Sequence, residues 1–167
     1  MAVILGIDPG SRVTGFGVIH LKNNTNAVSY LASGCIRTQN AETISERLAL
    51  IFKGIQEVIQ IHRPDEVAIE QVFLKENVMS ALKLGHARGA AMVACSLSEL
   101  PVAEYAPRVI KQAVVGFGGA EKSQVQKMVV DLLNLNRAPA LDASDALAVA
   151  ICHANHHALA FRGLRRK

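Results

Sequence analysis

Four carboxylates stand where charge without a partner is costly. Asp8 closes the apolar run Val3–Ile7, and Glu70 closes the short apolar segment Val67–Ile69. A carboxylate at the tip of a buried strand needs compensation, because charge is expensive to desolvate. Asp142 and Asp145 stand three residues apart in Leu141-Asp142-Ala143-Ser144-Asp145-Ala146-Leu147-Ala148. That spacing puts both on one face of a helix, where like charges repel. Each acid has a plainer explanation when taken singly. Asp8 suits an Asx turn before Pro9-Gly10, Glu70 a neighbouring base, and Asp142 and Asp145 the cap and dipole of a helix start. Together they describe acids arriving from the ends of two strands and the head of one helix, and such a convergence calls for cations. All-oxygen ligands suit a hard ion, Mg²⁺ or in its place Mn²⁺, rather than zinc. Two such ions ~4 Å apart stabilise both the attacking and the leaving oxygen of an in-line phosphoryl displacement. The chemistry in view is hydrolysis of a phosphodiester by metal-activated water.

The elements that must position these acids are legible in the hydrophobic period. Residues 3–7 read as a buried strand closed by Asp8-Pro9-Gly10; Val13–Leu21 and Val28–Ile36 read as two more, separated by a polar turn at 22–26. Ile44, Leu48, Ile51, Phe52, Ile55, Ile59 and His62 fall at helical spacing and stop at Arg63-Pro64. A strand at Val67–Glu70, a helix from about Glu76 to Ser98 and a strand at Pro101–Tyr105 follow. Val125, Met128, Val129, Leu132 and Leu133 mark an amphipathic helix, and a last helix opens near Asp142 and runs to about His157. This order predicts one α/β domain: a mixed five-stranded sheet flanked by helices, with an antiparallel meander on one side and helix-linked strands on the other. The expected division is a nuclease unit over 1–158 and a basic, flexible tail over 159–167.

Composition sets the frame. Of 167 residues half are apolar and 19% charged, which fits a folded globular chain and excludes disorder and collagen-like repeats. Cys35, Cys95 and Cys152 form no Cys-x-x-Cys pair, so neither a disulfide framework nor a cysteine zinc site is expected. The N-terminus lacks the basic and long apolar regions of a secretory signal, and no stretch reaches the ~20 apolar residues of a membrane span. The expectation is a cytoplasmic protein with no membrane partner. The formal charge is +4, yet Arg162, Arg165, Arg166 and Lys167 alone account for it. Two divalent ions at the acids would make the body itself positive, as a nucleic-acid substrate requires.

The motifs carrying these acids occur in a telling order: Gly6-Ile7-Asp8-Pro9-Gly10-Ser11-Arg12-Val13-Thr14-Gly15-Phe16-Gly17, Ala68-Ile69-Glu70-Gln71-Val72-Phe73, the Ser80–Gly89 run, Ala120-Glu121-Lys122-Ser123-Gln124-Val125-Gln126 and Asp142–Ala148. From about residue 2 to about residue 155 the chain resembles the RuvC family of bacterial Holliday junction resolvases. The resemblance implies the RNase H-like (retroviral-integrase-type) fold and a Mg²⁺-dependent homodimer that nicks two strands of a four-way DNA junction symmetrically, in recombination and repair. It also implies products with 5′-phosphate and 3′-hydroxyl ends, and the branch-migration proteins RuvA and RuvB as partners. Asp8, Glu70, Asp142 and Asp145 match the family's metal-binding catalytic acids position by position.

Further residues are candidates for DNA contact. Phe73, three residues beyond Glu70, is placed to stack on an unpaired base. Lys111 and Lys122 match basic positions of the family; Lys122 opens a helix, where backbone N–H groups also favour anions. Arg12, Lys75 and Arg108 are weaker candidates of the same kind. Three signals are set aside. Gly116–Ser123 is superficially a P-loop, but Glu121 stands where a P-loop needs glycine before its lysine. His153, His156 and His157 have helical spacing but no acidic or cysteine partner nearby in sequence. His86 reads as a surface residue of its helix. In that helix Ala81, Gly85 and Gly89 recur every fourth residue, inviting close approach of either the sheet or the same helix of a second subunit; two-fold symmetry would suit a junction with two equivalent cuts. The rival readings are an actin-like ATPase half, which 167 residues are too few to complete, an inactive junction-binding scaffold, and a nuclease for RNA–DNA hybrids.

Overall fold

The computed structural model describes residues 2–22, 27–72 and 78–164, the side chains of 158–164 excepted. Three strands open the chain, β1 (Ala2–Asp8), β2 (Val13–Leu21) and β3 (Val28–Arg37), followed by α1 (Ile44–His62), β4 (Glu66–Glu70), α2 (Val78–Leu97) and β5 (Val102–Tyr105). Three helices complete it: α3 (Pro107–Val115), α4 (Lys122–Leu133) and α5 (Leu141–Leu164). The sheet order is β3-β2-β1-β4-β5. β1 pairs antiparallel with β2 and parallel with β4, and β4 pairs parallel with β5. The meander and the helix-linked strands therefore lie on the expected sides of β1.

Alternation along the strands divides the core into two layers. Leu5, Ile7, Val18, Val67 and Ile69 face α1 and α2, which bury Ile51, Ile55 and Val58, and Ala87, Ala91, Ala94 and Cys95. Ile4, Ile19, Leu21 and Ala68 face the other way, against Ile110 and Val114 of α3, Val125, Val129 and Leu133 of α4, and the apolar face of α5. Asp8 and Glu70 have the parity of Ile4 and Ala68, so both acids point towards the α5 side. A Thr43–Glu46 capping box starts α1, and Arg63 in the left-handed region (φ 47°) ends it before Pro64.

Several boundaries differ from those the pattern predicts. Pro107 opens a nine-residue helix, α3; proline is favoured at a first helical position. α5 continues to Leu164 rather than ending near His157, since Ala158-Leu159-Ala160-Phe161-Arg162 contains no helix breaker. The 23–26 turn, Phe73 and Lys75 lie outside the described residues. Among the described residues no helix is long and apolar enough to cross a membrane.

Candidate functional site

β1 and β4 run parallel, so Asp8 and Glu70 emerge at the same edge of the sheet from neighbouring strands. Their side chains are hydrogen-bonded to each other. Burial is the largest cause that lifts Asp8 from its ordinary 3.8 to about 9, reinforced by the charges of Glu70 and Asp145 and opposed by Lys122. Burial also raises Glu70; the Asp145 charge adds to this, while the hydrogen bond with Asp8 and the ammonium groups of Lys122 and Lys111 work against it.

The other two acids arrive on α5, brought close by glycines in the strands beneath. Asp8 is paired in register with Gly15. A Cβ on Gly15 would lie 2.0 Å from the carbonyl oxygen of Asp142, and one on Gly6 would lie 2.1 Å from that of Ala146. Only glycine lets the helix backbone settle on the sheet at these points. The first turn of α5 is thereby laid over the end of β1. Asp145 acts electrostatically on both Asp8 and Glu70, and Asp142 acts on Cys35 of β3, whose thiol also takes a hydrogen bond from the Ala143 backbone. The four acids share one end of the sheet, with Asp142 displaced towards β3.

Lysine supplies the countercharge. Lys122, the first residue of α4, places Nζ 2.6 Å from Asp145 Oδ2. That bond is the main reason its ammonium is held above its usual range, with the charges of Asp8 and Glu70 adding to it. Lys111 on α3 is near enough to act on Glu70. Both lysines expected from the sequence therefore stand beside the acids. Arg12, exposed, lies on the turn between β1 and β2, which is tied down by Thr38 through its backbone N–H to the Arg12 carbonyl (3.0 Å) and its hydroxyl to the Ser11 carbonyl (2.9 Å). Arg108, also exposed, lies in the first turn of α3. Neither forms a described contact with an acid of the site.

The arrangement is compact but not closed. Among the described residues no three carboxylate, imidazole or thiol side chains are drawn into a cage around one point; Asp8 and Glu70 are bonded to each other and Asp145 to Lys122. The donor set is nonetheless the one a hard divalent cation takes. Four carboxylates, two of them forced towards protonation by burial and mutual repulsion, are relieved when a cation supplies the missing charge.

Two features were not visible in the sequence. Arg88 of α2 donates from Nε to the Glu70 carbonyl (3.2 Å) and pairs with Glu104, bracing the end of β4. The C-terminal histidines do have an acidic partner: Glu66, at the start of β4, lies 2.6 Å from His153 Nε2 and 3.2 Å from His157 Nε2. Glu66 is remote in sequence and β4 carries it across to α5, so neighbouring residues gave no signal. His86 is exposed, as expected.

The comparisons with known proteins point in one direction. A family model described as crossover junction endodeoxyribonuclease RuvC matches residues 4–153. A protein of that name from Legionella pneumophila (strain Lens) is 57% identical over 155 residues, covering 93% of this chain and 88% of its own. One from Idiomarina loihiensis is 58% identical over 159 residues, with the same coverage. Among solved structures, T. thermophilus RuvC in complex with Holliday junction substrate superposes with a TM-score of 0.88 at 35% identity, over 96% of this chain and 97% of that one. The yeast mitochondrial Holliday junction resolvase shares the fold at 12% identity, with a TM-score of 0.69 over 93% of this chain and 78% of its own.

Proposed function

Because the chain belongs to the RuvC family of crossover junction endodeoxyribonucleases, and its fold is the RNase H-like mixed sheet flanked by helices, we propose that it resolves four-way DNA junctions. It does so by hydrolysing a phosphodiester in each of two strands, symmetrically, in homologous recombination and repair. The observation that carries this reading is the convergence of Asp8, Glu70 and Asp145 with Lys122 and Lys111 beside them.

Asp8, Glu70, Asp142 and Asp145 hold the metal, Mg²⁺ as two ions, with Mn²⁺ able to substitute. Bound there, the ions lower the pKa of a water and stabilise the charge that develops on the phosphate. The protein's own groups do the rest. Lys122 and Lys111 set positive charge along the rim of the acids, where the scissile phosphate must lie. Arg12 and Arg108 contact flanking phosphates, and Phe73 and Lys75, just beyond Glu70, contact an unpaired base and the backbone. The products carry 5′-phosphate and 3′-hydroxyl ends.

Symmetric cutting calls for two sites, and a homodimer supplies them. The outward face of α2 supports this. Val78, Leu82 and Val93 are exposed there, aligned with Gly85 and Gly89, where an added Cβ would meet nothing within 4 Å. The sheet is therefore not what the glycines accommodate, which supports the same helix of a second copy in that role. The protein acts in the bacterial cytoplasm with RuvA and RuvB.

The test is cleavage of end-labelled four-way junctions with Mg²⁺, beside linear duplex and RNA–DNA hybrid, with Asp8→Asn as control. Paired symmetric nicks in the junction alone are expected, and none from the variant. Binding without cutting, or cutting of the hybrid alone, overturns the reading in favour of a scaffold or a hybrid nuclease.

A further inference from the structure

We propose that Glu66, His153 and Tyr105 form a register pin: positioning residues that fix α5 along the sheet and so hold Asp142 and Asp145 opposite Asp8 and Glu70. The inference rests on the nuclease reading of the four acids and adds residues that this reading does not use.

Where α5 comes closest to β1 and β2 the contact is made of small groups, beside the larger packing of Ile4, Ile19, Leu147 and Ile151. Ala146 and Ala150 lie against Gly6, the Asp142 backbone lies against Gly15, and Leu147 lies over Gly17. Small surfaces permit close approach but offer few steps to stop a helix sliding along its axis. A slip of one residue moves every side chain on α5 by about 1.5 Å. Misplacement of a catalytic group by ~1 Å can cost about 10²-fold in rate, so the axial position of this helix matters to the chemistry.

The polar cluster adds a directional restraint to that packing. His153 stands eight residues after Asp145 on α5, about 12 Å along the axis. Its Nε2 is 2.6 Å from Glu66 Oε2 and its Nδ1 is 2.8 Å from the Tyr105 hydroxyl. An ionised carboxylate only accepts, so Nε2–H donates to Glu66. In a neutral ring Nδ1 then accepts, and the tyrosine hydroxyl donates to it. His157 Nε2, 3.2 Å away, donates to the other oxygen of Glu66. One imidazole thus joins α5 to β4 and β5 together, with both ring nitrogens satisfied. Burial is the main cause that pushes the Tyr105 hydroxyl up to about 12, which keeps its proton available. Glu66 and Glu70 lie on the same face of β4, four residues apart. The strand that carries one catalytic acid therefore also carries the anchor for the helix that bears two others. Polar contacts of this kind are well suited to fixing register.

The test uses Glu66→Ala, His153→Ala, their combination, Glu66→Gln and Tyr105→Phe in the full-length protein, at a temperature where circular dichroism shows each to be folded. Two readouts are taken: Mn²⁺ affinity from the free-ion paramagnetic resonance signal, and single-turnover cleavage at saturating four-way junction. Glu66→Ala and His153→Ala are expected to weaken Mn²⁺ binding about 10–100-fold and to slow cleavage by a similar factor, with junction affinity within about twofold of wild type. The combination should be no worse than the poorer single variant, because the two act as one unit. Glu66→Gln, which keeps an oxygen for the Nε2–H, should recover most of the loss. A lowered melting temperature with unchanged Mn²⁺ affinity and cleavage overturns the pin, leaving the cluster a merely structural tie. Where an alanine variant does not fold, Tyr105→Phe decides the question by deleting only the hydroxyl; no change in either readout overturns the proposal. Wild-type protein that binds Mn²⁺ but leaves junctions intact instead strikes the nuclease reading, while the Mn²⁺ series still tests the pin.

Discussion

Lys122 Nζ and Asp145 Oδ2 lie 2.6 Å apart, joining the first residue of α4 to the head of α5 beside the other acids. The pair puts a built-in cation where a metal ion would otherwise be the main source of positive charge.

Removing that cation separates the two contributions. The Lys122 side chain is two-thirds exposed, so the pair itself is worth at most about 1 kcal/mol. Lys122→Met is expected to lower the metal-free melting temperature by about 2–4 °C. The rise in melting temperature on adding Mg²⁺ should be larger than in wild type, because Asp145 then lacks any other countercharge. Junction cleavage should fall about 10²-fold. Differential scanning calorimetry with and without Mg²⁺ checks the first two effects; an equal Mg²⁺ response in both proteins contradicts the idea.

Asp8 gives a prediction with a sign. Its carboxyl is raised from 3.8 in the ordinary case to about 9 in the folded chain. The folded state therefore holds a proton that the unfolded state gives up. Stability from this group is fully present below about pH 4 and is lost as the pH climbs towards about 9. In metal-free protein Asp8→Asn should flatten this decline and raise stability at neutral pH by about 1 kcal/mol or more, while cleavage drops by about 10³-fold or more. Urea denaturation across the pH range measures the first, and junction assays the second. A variant less stable than wild type at pH 8 would show that Asp8 is not a buried, repelled acid.

What the sequence shows of this site depends on whether the signal is local. Asp8 and Glu70 were legible because each ends an apolar run, an anomaly visible within five residues. Asp142 and Asp145 were legible from their spacing at a helix head. The Glu66–His153 bond joins residues 87 positions apart, and each looks ordinary among its neighbours, so the histidines appeared to lack an acid. Neighbouring residues assign Gly6 and Gly15 no role; it is β1–β2 pairing that places them under α5. The two sides of the sheet follow from the run of strands and helices, whereas the extent of α3 does not, because nine residues carry only a short periodic pattern.

Those two glycines can be tested for the role that packing gives them. Gly15→Ala places a methyl 2.0 Å from the Asp142 carbonyl, which neither backbone can accommodate without α5 lifting from β2. Overpacking of this sort costs about 1–3 kcal/mol, and here the displaced segment carries two of the acids. Cleavage should fall by about 10²-fold even at temperatures where the variant is folded. Equal activity per folded molecule would mean that the helix position tolerates the shift.

The face of α2 offers a test in which two substitutions pull in opposite directions. Glycine inside a helix costs about 0.8–1 kcal/mol relative to alanine, and among the described residues the space around Gly85 and Gly89 is open. In an isolated protomer, Gly85→Ala should therefore stabilise the helix by roughly that amount. If α2 packs on α2 of a second copy, the same methyl separates two backbones that need close approach, and the dimer weakens. Leu82, half-exposed on this stripe, tests the apolar part of the contact. Leu82→Glu is expected to dissociate the dimer by sedimentation at micromolar concentration with little change in protomer folding, since the side chain faces away from the buried Ala87, Ala91 and Ala94. Paired nicking should then become uncoupled single nicking, because each protomer keeps its four acids but loses the fixed geometry of two. A Leu82→Glu protein that stays dimeric, together with a Gly85→Ala protein of higher stability and unchanged association, would place the two-fold contact elsewhere on the molecule.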